Sequence, residues 1–175
     1  MPGACFAQAG PRVGDVPPDW LGKTPKGEEV RVSERRGKVV VVAFWASWCG
    51  YCRAQFPVLV ALQKAAGAER LEVVLVNYQE PTATYRNLVR ELRKRDAGLT
   101  LTHDRNGSIS EAYGVDGVPD LFMVGKSGRI GWTYGGYSAE AIPKIGAAVD
   151  RLLAEPWSPG PAAQAAPAAP AALSP

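Results

Sequence analysis

Histidine occurs once and cysteine three times in the 175 residues. That scarcity argues against a structural zinc site, which normally takes four ligands. Outside the pair Cys49 and Cys52, only Cys5 and His103 remain as Cys or His, and both lie far away in sequence. No metal is therefore expected. Charge of one sign is also lacking: 20 Lys and Arg face 17 Asp and Glu, a net of +3. No basic cluster is interleaved with aromatics as a nucleic-acid surface would require. A continuous apolar run of about 18 residues is missing, so no stretch of this chain is expected to span a bilayer. The length fits one domain with a proper core.

What is present is concentrated in Val39-Val40-Val41-Val42-Ala43-Phe44, followed by Trp45-Ala46-Ser47-Trp48-Cys49-Gly50-Tyr51-Cys52. The β-branched run predicts a central strand covered on both faces. After Cys52 the apolar spacing becomes helical, through Phe56, Leu59, Val60 and Leu62, with Gly67 as the C-cap. A helix from about Cys52 to Ala66 places Cys49 at its positive end, where free N–H groups and the macrodipole stabilise a thiolate. Cys49 is thus the expected nucleophile. Cys52, one turn on, is the expected resolving thiol, which keeps a mixed disulfide from becoming a dead end. Arg53 adds a positive charge beside them. A structural disulfide and half of a zinc site are the two other readings of the pair.

The nonapeptide Phe44 to Cys52 resembles the active site of the thioredoxin superfamily. Gly37-Lys38 before it and Arg53-Ala54-Gln55-Phe56-Pro57 after it are similar to the TlpA/ResA branch of thiol–disulfide oxidoreductases. Two further stretches fit that branch in order: Ala112 to Pro119, and Gly125-Lys126-Ser127-Gly128-Arg129-Ile130. The resemblance covers residues 14–154. It implies an α/β thioredoxin-like fold, with a mixed central β-sheet flanked by helices on both faces. It implies a cis peptide before Pro119, and substrate contacts from the Val118 backbone and from Trp48, Gly50 and Tyr51. It also implies protein thiols and disulfides as substrates, an upstream thiol electron donor, a monomer and a periplasmic location. The disulfide Cys49–Cys52 would be the only redox centre, with no organic cofactor.

Departures from the family qualify the mechanism. The buried aspartate of thioredoxin is replaced by Ala43, and the glutamate of ResA-like proteins by Gln55. Water or another group, with Glu80 as the named option, would then serve Cys52. The Gly50-Tyr51 dipeptide matches DsbC-type isomerases and points to a more oxidising couple. A reductase, for instance in cytochrome c maturation, is the expected function; an oxidase or isomerase and a non-enzymatic binding module are the alternatives. A redoxin-type peroxidase fails on spacing, because Ser47 is only two residues before Cys49.

Elsewhere, Glu29 to Val32 predicts a short edge strand, which the resemblance implies belongs to an N-terminal hairpin across the sheet, and Trp20 a packing role. Leu71 to Asn77 predicts a second buried parallel strand. A helix capped by Thr82 comes next, with Tyr85, Leu88, Val89 and Leu92 inward. Its Arg86, Arg90, Arg93, Lys94 and Arg95 form either a solvated face or a dock for an acidic protein. Leu99 to Thr102 predicts a strand or extended loop, His103 a surface or loop residue, and Asp104 to Gly107 a turn before a short helix ending at Tyr113. Leu121 to Val124 and Arg129 to Tyr134 form an antiparallel pair, with a bulge or close approach at Gly135-Gly136. A closing helix runs from Ala139 to Leu153 with Ile142, Ile145, Val149 and Leu152 as its stripe. Residues 1–10 read as the remnant of a signal peptide, as a lipoprotein signal with Cys5 lipidated, or as a disordered start. The domain is expected over 11–154. The Pro/Ala-rich remainder, 155–175, reads as a flexible tail that Trp157 pins at its start.

Overall fold

The computed structural model describes residues 10–95 and 98–158. Cys5, the segment before Gly10 and the tail after Ser158 lie outside the described residues. The strands are β1 (Trp20–Lys23), β2 (Glu29–Arg31), β3 (Val39–Trp45), β4 (Leu71–Tyr78), β5 (Thr100–Asp104), β6 (Asp120–Val124) and β7 (Ile130–Gly135). The α-helices are α1 (Gly50–Ala66), α2 (Thr82–Arg95), α3 (Ser108–Tyr113) and α4 (Ala141–Ala154).

Every residue of β3 is buried. It occupies the middle of a five-stranded sheet in the order β5-β4-β3-β6-β7. β3 pairs parallel with β4, and β4 parallel with β5. β6 and β7 complete the other half antiparallel. Successive strand side chains point to opposite faces, which splits the β-branched run between two cores. Val39, Val41, Ala43 and Trp45 pack with Leu59 of α1, Val89 of α2 and Ile145 and Val149 of α4. Val40, Val42 and Phe44 pack with Ile109 and Tyr113 of α3 and with Leu21 and Val30 of the β1–β2 pair. Helices thus cover both faces, and the hairpin shares one face with α3.

β2 pairs with β1 in the expected N-terminal hairpin, which forms a two-stranded sheet of its own. Several boundaries differ from those expected. α1 begins at Gly50, because Cys49 itself caps the helix. β5 runs on through His103 and Asp104, opposite Asn77 and Tyr78. Asp104 is therefore no turn residue: its buried carboxylate accepts the N–H groups of Ile109 at 3.1 Å and Ser110 at 2.8 Å, fastening α3. His103 is likewise no free surface or loop residue. Its ring stacks on Tyr85 at 4.3 Å, and its Nε2 hydrogen-bonds the Glu80 carbonyl at 2.7 Å. The irregular pairing in the β6–β7 ladder falls at Met123/Val124, not at Gly135-Gly136. Gly136 makes a close approach instead, its N–H donating to the Pro119 carbonyl at 2.7 Å.

Candidate active site

β3 delivers the chain to the site, and α1 receives it. Between them Ala46-Ser47-Trp48 makes a short turn in which Cys49 N–H donates to the Ala46 carbonyl at 3.1 Å. A buried carboxylate from beyond β4 holds this turn. Glu80 Oε2 accepts from Ser47 N at 2.8 Å and from Asn77 Nδ2 at 2.6 Å, and Glu80 Oε1 accepts from the Ser47 hydroxyl. Arg53 reaches back from the first turn of α1, donating to the Ser47 carbonyl at 3.2 Å. The Glu80 carboxylate is thus engaged with Ser47 and Asn77, neither of them a cysteine. These bonds hold the loop that precedes Cys49, and none of them reaches Cys52.

Cys49 and Cys52 are joined by a disulfide of 2.11 Å with Cα atoms 5.3 Å apart. Cys49 is the N-cap of α1, and its Sγ accepts the Cys52 N–H at 3.1 Å. The first turn of α1 carries no acidic residue. On reduction, a negative charge on Cys49 Sγ would face a backbone donor and the positive end of a helix. Cys49 is 5% exposed and Cys52 fully buried, so the residue at the helix cap is also the more accessible of the two.

The surroundings are aromatic. Trp48 and Tyr51 are each 66% exposed, although large apolar rings usually find cover. Tyr51 stacks on Tyr137 with centroids 5.6 Å apart and planes at 21°. The Val118–Pro119 peptide bond is cis. Half-buried Val118 packs against the same core cluster that contains both cysteines. Among the described residues, no hydrogen bond joins Val118 or Pro119 to either cysteine.

Two residues here escaped the sequence reading. Tyr137 comes just after the glycines that approach Pro119, and only the fold carries it to Tyr51. Asp120 sits directly after Pro119 at the start of β6; burial pushes its carboxyl up to about 6, with Asp116 adding to the rise against the hydrogen bond from Leu121 N–H. Its signal was an acid heading an apolar strand. Gln55 was singled out, and the structure buries it one turn beyond Cys52 with Nε2 unpaired. Among the described residues, no group of three or more His, Cys, Asp or Glu could hold a metal ion, and no helix is long and apolar enough to cross a membrane.

This arrangement can do one kind of chemistry well: exchange of a disulfide through an activated thiolate. Comparison with known proteins agrees. ResA, a thiol-disulfide oxidoreductase of Geobacillus thermodenitrificans, is 30% identical over 120 residues, 67% of this chain and 66% of that protein. The chain therefore spans just under two thirds of that relative's length. The thioredoxin-like protein YneN of Bacillus subtilis is 30% identical over 70% of this chain and 71% of its own length. The crystal structure of a Chlorobium tepidum protein described as a thiol:disulfide interchange protein DsbE superposes with a TM-score of 0.73 and 29% identity, covering 82% of this chain and 99% of that one. The AhpC/TSA family matches residues 13–133. The chain belongs to the AhpC/TSA family of thioredoxin-like proteins.

Proposed function

We propose that this chain is a protein-disulfide reductase working outside the cytoplasm, in the periplasm of a bacterium, on proteins such as apocytochrome c or other periplasmic thiol proteins. The observation that carries the reading is Cys49 at the cap of α1, bonded to Cys52 and accepting its N–H. In the reduced enzyme, Cys49 thiolate attacks one sulfur of a substrate disulfide. That S–S bond breaks, the other substrate sulfur leaves as a thiolate and takes a proton from solvent, and a mixed disulfide remains. Cys52 then loses its proton and attacks Cys49 Sγ, forming Cys49–Cys52 and releasing the second substrate thiolate. The substrate gains two electrons, which the enzyme dithiol loses; an upstream dithiol returns them by the reverse steps. The Val118 backbone at the cis peptide offers the strand-like contact for the substrate chain, and Trp48, Gly50 and Tyr51 surround the attacked bond.

The test is the equilibrium potential of the Cys49–Cys52 couple, with trapping of the intermediate. A value near about −250 mV fits a reductase, whereas one near about −130 mV would move the reading to an oxidase or isomerase. Gly50-Tyr51, with Tyr51 stacked on Tyr137, is the feature that favours this second reading. Cys52→Ser should accumulate a mixed disulfide with a protein substrate, and Cys49→Ser should not. Failure of the wild-type pair to cycle at all would leave only a binding module.

A further inference from the structure

A cleft of about 400 Å³ opens between α1 and α2, starting at Ser47 and Arg53, beside the loop that holds Cys49. Its floor is apolar, with Trp45, Phe56, Leu88 and Leu92. Lys64, Glu91 and Arg95 lie along its rim. The two bordering helices are strongly one-sided in charge. α1 carries Arg53 and Lys64 and no acid. α2 carries Arg86, Arg90, Arg93, Lys94 and Arg95 against the single Glu91, whose carboxylate pairs with Lys94 at 2.9 Å. These two helices exceed by themselves the net charge of +3 of the whole chain, so the remainder is net acidic, and three of their cations, Arg53, Lys64 and Arg95, line this cleft.

We propose that the cleft docks an acidic segment, bearing a large apolar side chain, of the same protein whose cysteine exchanges with Cys49. This rests on the exchange reading above and adds to it where the partner chain lies. A solvated basic helix needs no apolar floor, whereas a docked segment uses both: an aliphatic or aromatic anchor covers Phe56 and Leu88, and its flanking carboxylates meet the cations. Reach is not limiting. Arg53 is four residues from Cys49, about 6 Å along a helix axis, which two or three extended residues span at about 3.3 Å each.

The experiment uses two synthetic peptides of equal length. Each has one cysteine as its thionitrobenzoate mixed disulfide, then Leu and Phe flanked by Glu in one and by Lys in the other. Attack of reduced Cys49 on the peptide sulfur releases coloured thionitrobenzoate. We expect the acidic peptide to react at least about tenfold faster at low salt, with the advantage shrinking as salt is added. Lys64→Glu with Arg95→Glu should level or invert that preference. Leu88→Asn should slow both peptides, which charge steering alone would not do. None of these variants should change the rate with hydroxyethyl disulfide, a small uncharged substrate that reports only on Cys49. Equal rates for the two peptides, or no effect of Leu88→Asn, overturn the docking proposal. Loss of the hydroxyethyl disulfide reaction in the wild type would instead overturn the exchange reading. In that case, binding of serine-for-cysteine versions of the peptides, read by fluorescence anisotropy, still decides the dock: preference for the acidic one upholds it, and indifference ends it.

Discussion

Glu80 shows how one side chain can govern a site without touching the reacting atoms. Its carboxylate takes both the N–H and the hydroxyl of Ser47, together with Asn77 Nδ2. Glu80→Ala would leave these donors unmet in a buried place, at a cost of about 2 kcal/mol. The expected result is a lower urea midpoint of the oxidised protein, with several-fold slower exchange because the loop before Cys49 is released. An unchanged midpoint would remove the positioning role. Asp120 makes a pH-dependent case. Its carboxyl titrates at about 6 in the folded chain against an ordinary 3.8, chiefly through burial. The folded state thus holds a proton that the unfolded chain has released. The resulting stability is complete below 3.8 and is lost as pH rises through about 6. Asp120→Asn should therefore stabilise the protein at about pH 8 and hardly change it at low pH. The gain is on the order of 1 kcal/mol, since partial exposure screens the effect. Denaturant midpoints of both proteins across that range check the sign. The cysteines could be read from spacing alone. Asp120 could not, because its environment is made by Asp116, Leu121 and the cover of the fold.

Among the elements, β3 is the one whose sequence and structure agree best. A run of β-branched residues between Gly37-Lys38 and the cysteines has few other places to go, and the strand is buried throughout. Phe44 anchors its second face, with ring centroids 5.4 Å from Tyr113 and 6.0 Å from Phe122. Phe44→Ala should cost about 3–5 kcal/mol through lost contacts and the cavity left behind. It should do so without changing the potential of the couple, which lies on the other face with Trp45; equilibrium unfolding and a redox titration measure the two separately. Element ends were less legible. His103 and Asp104 look like loop residues by composition, yet pairing with Asn77 and Tyr78 makes them strand. β2 lies in the N-terminal hairpin that the resemblance implies, and its pairing with β1 fixes that this hairpin is a sheet apart from the main one. In both cases the deciding hydrogen bonds come from elsewhere in the chain.

At the level of the molecule, the two cores share one sheet, and the C-terminal end of α4 returns to where β3 begins. Lys126 Nζ donates to the carbonyls of Leu153 and Glu155 at 2.6 and 2.9 Å. The Trp157 ring lies over Gly37, where an added Cβ would sit 3.0 Å from it and where φ is +85°, a region that favours glycine. Trp157 is 38% exposed, so its closure is partial. Trp157→Ala should cost about 1 kcal/mol and lower Tm by about 2–4 °C. Ending the chain at Ser158 should leave Tm unchanged, given the Pro/Ala-rich composition of residues 159–175. A drop on truncation as large as that of Trp157→Ala would place part of the tail in the folded unit.

The sequence by itself determined the framework and pointed to the chemistry: a buried strand, two cysteines at a helix start and a returning hairpin are written in local spacing and residue type, while the part of Val118-Pro119 is implied by the resemblance to the thioredoxin superfamily. Local patterns suffice there because strand burial, helix capping and thiolate stabilisation act over a few neighbouring residues. Tertiary structure decided the rest: that Glu80 grips Ser47, that Tyr137 reaches Tyr51, that Asp120 is covered enough to shift its titration, and that α1 and α2 bring Arg53, Lys64 and Arg95 around one apolar cleft. Each depends on groups distant in sequence becoming neighbours, and on the exclusion of water that their packing produces.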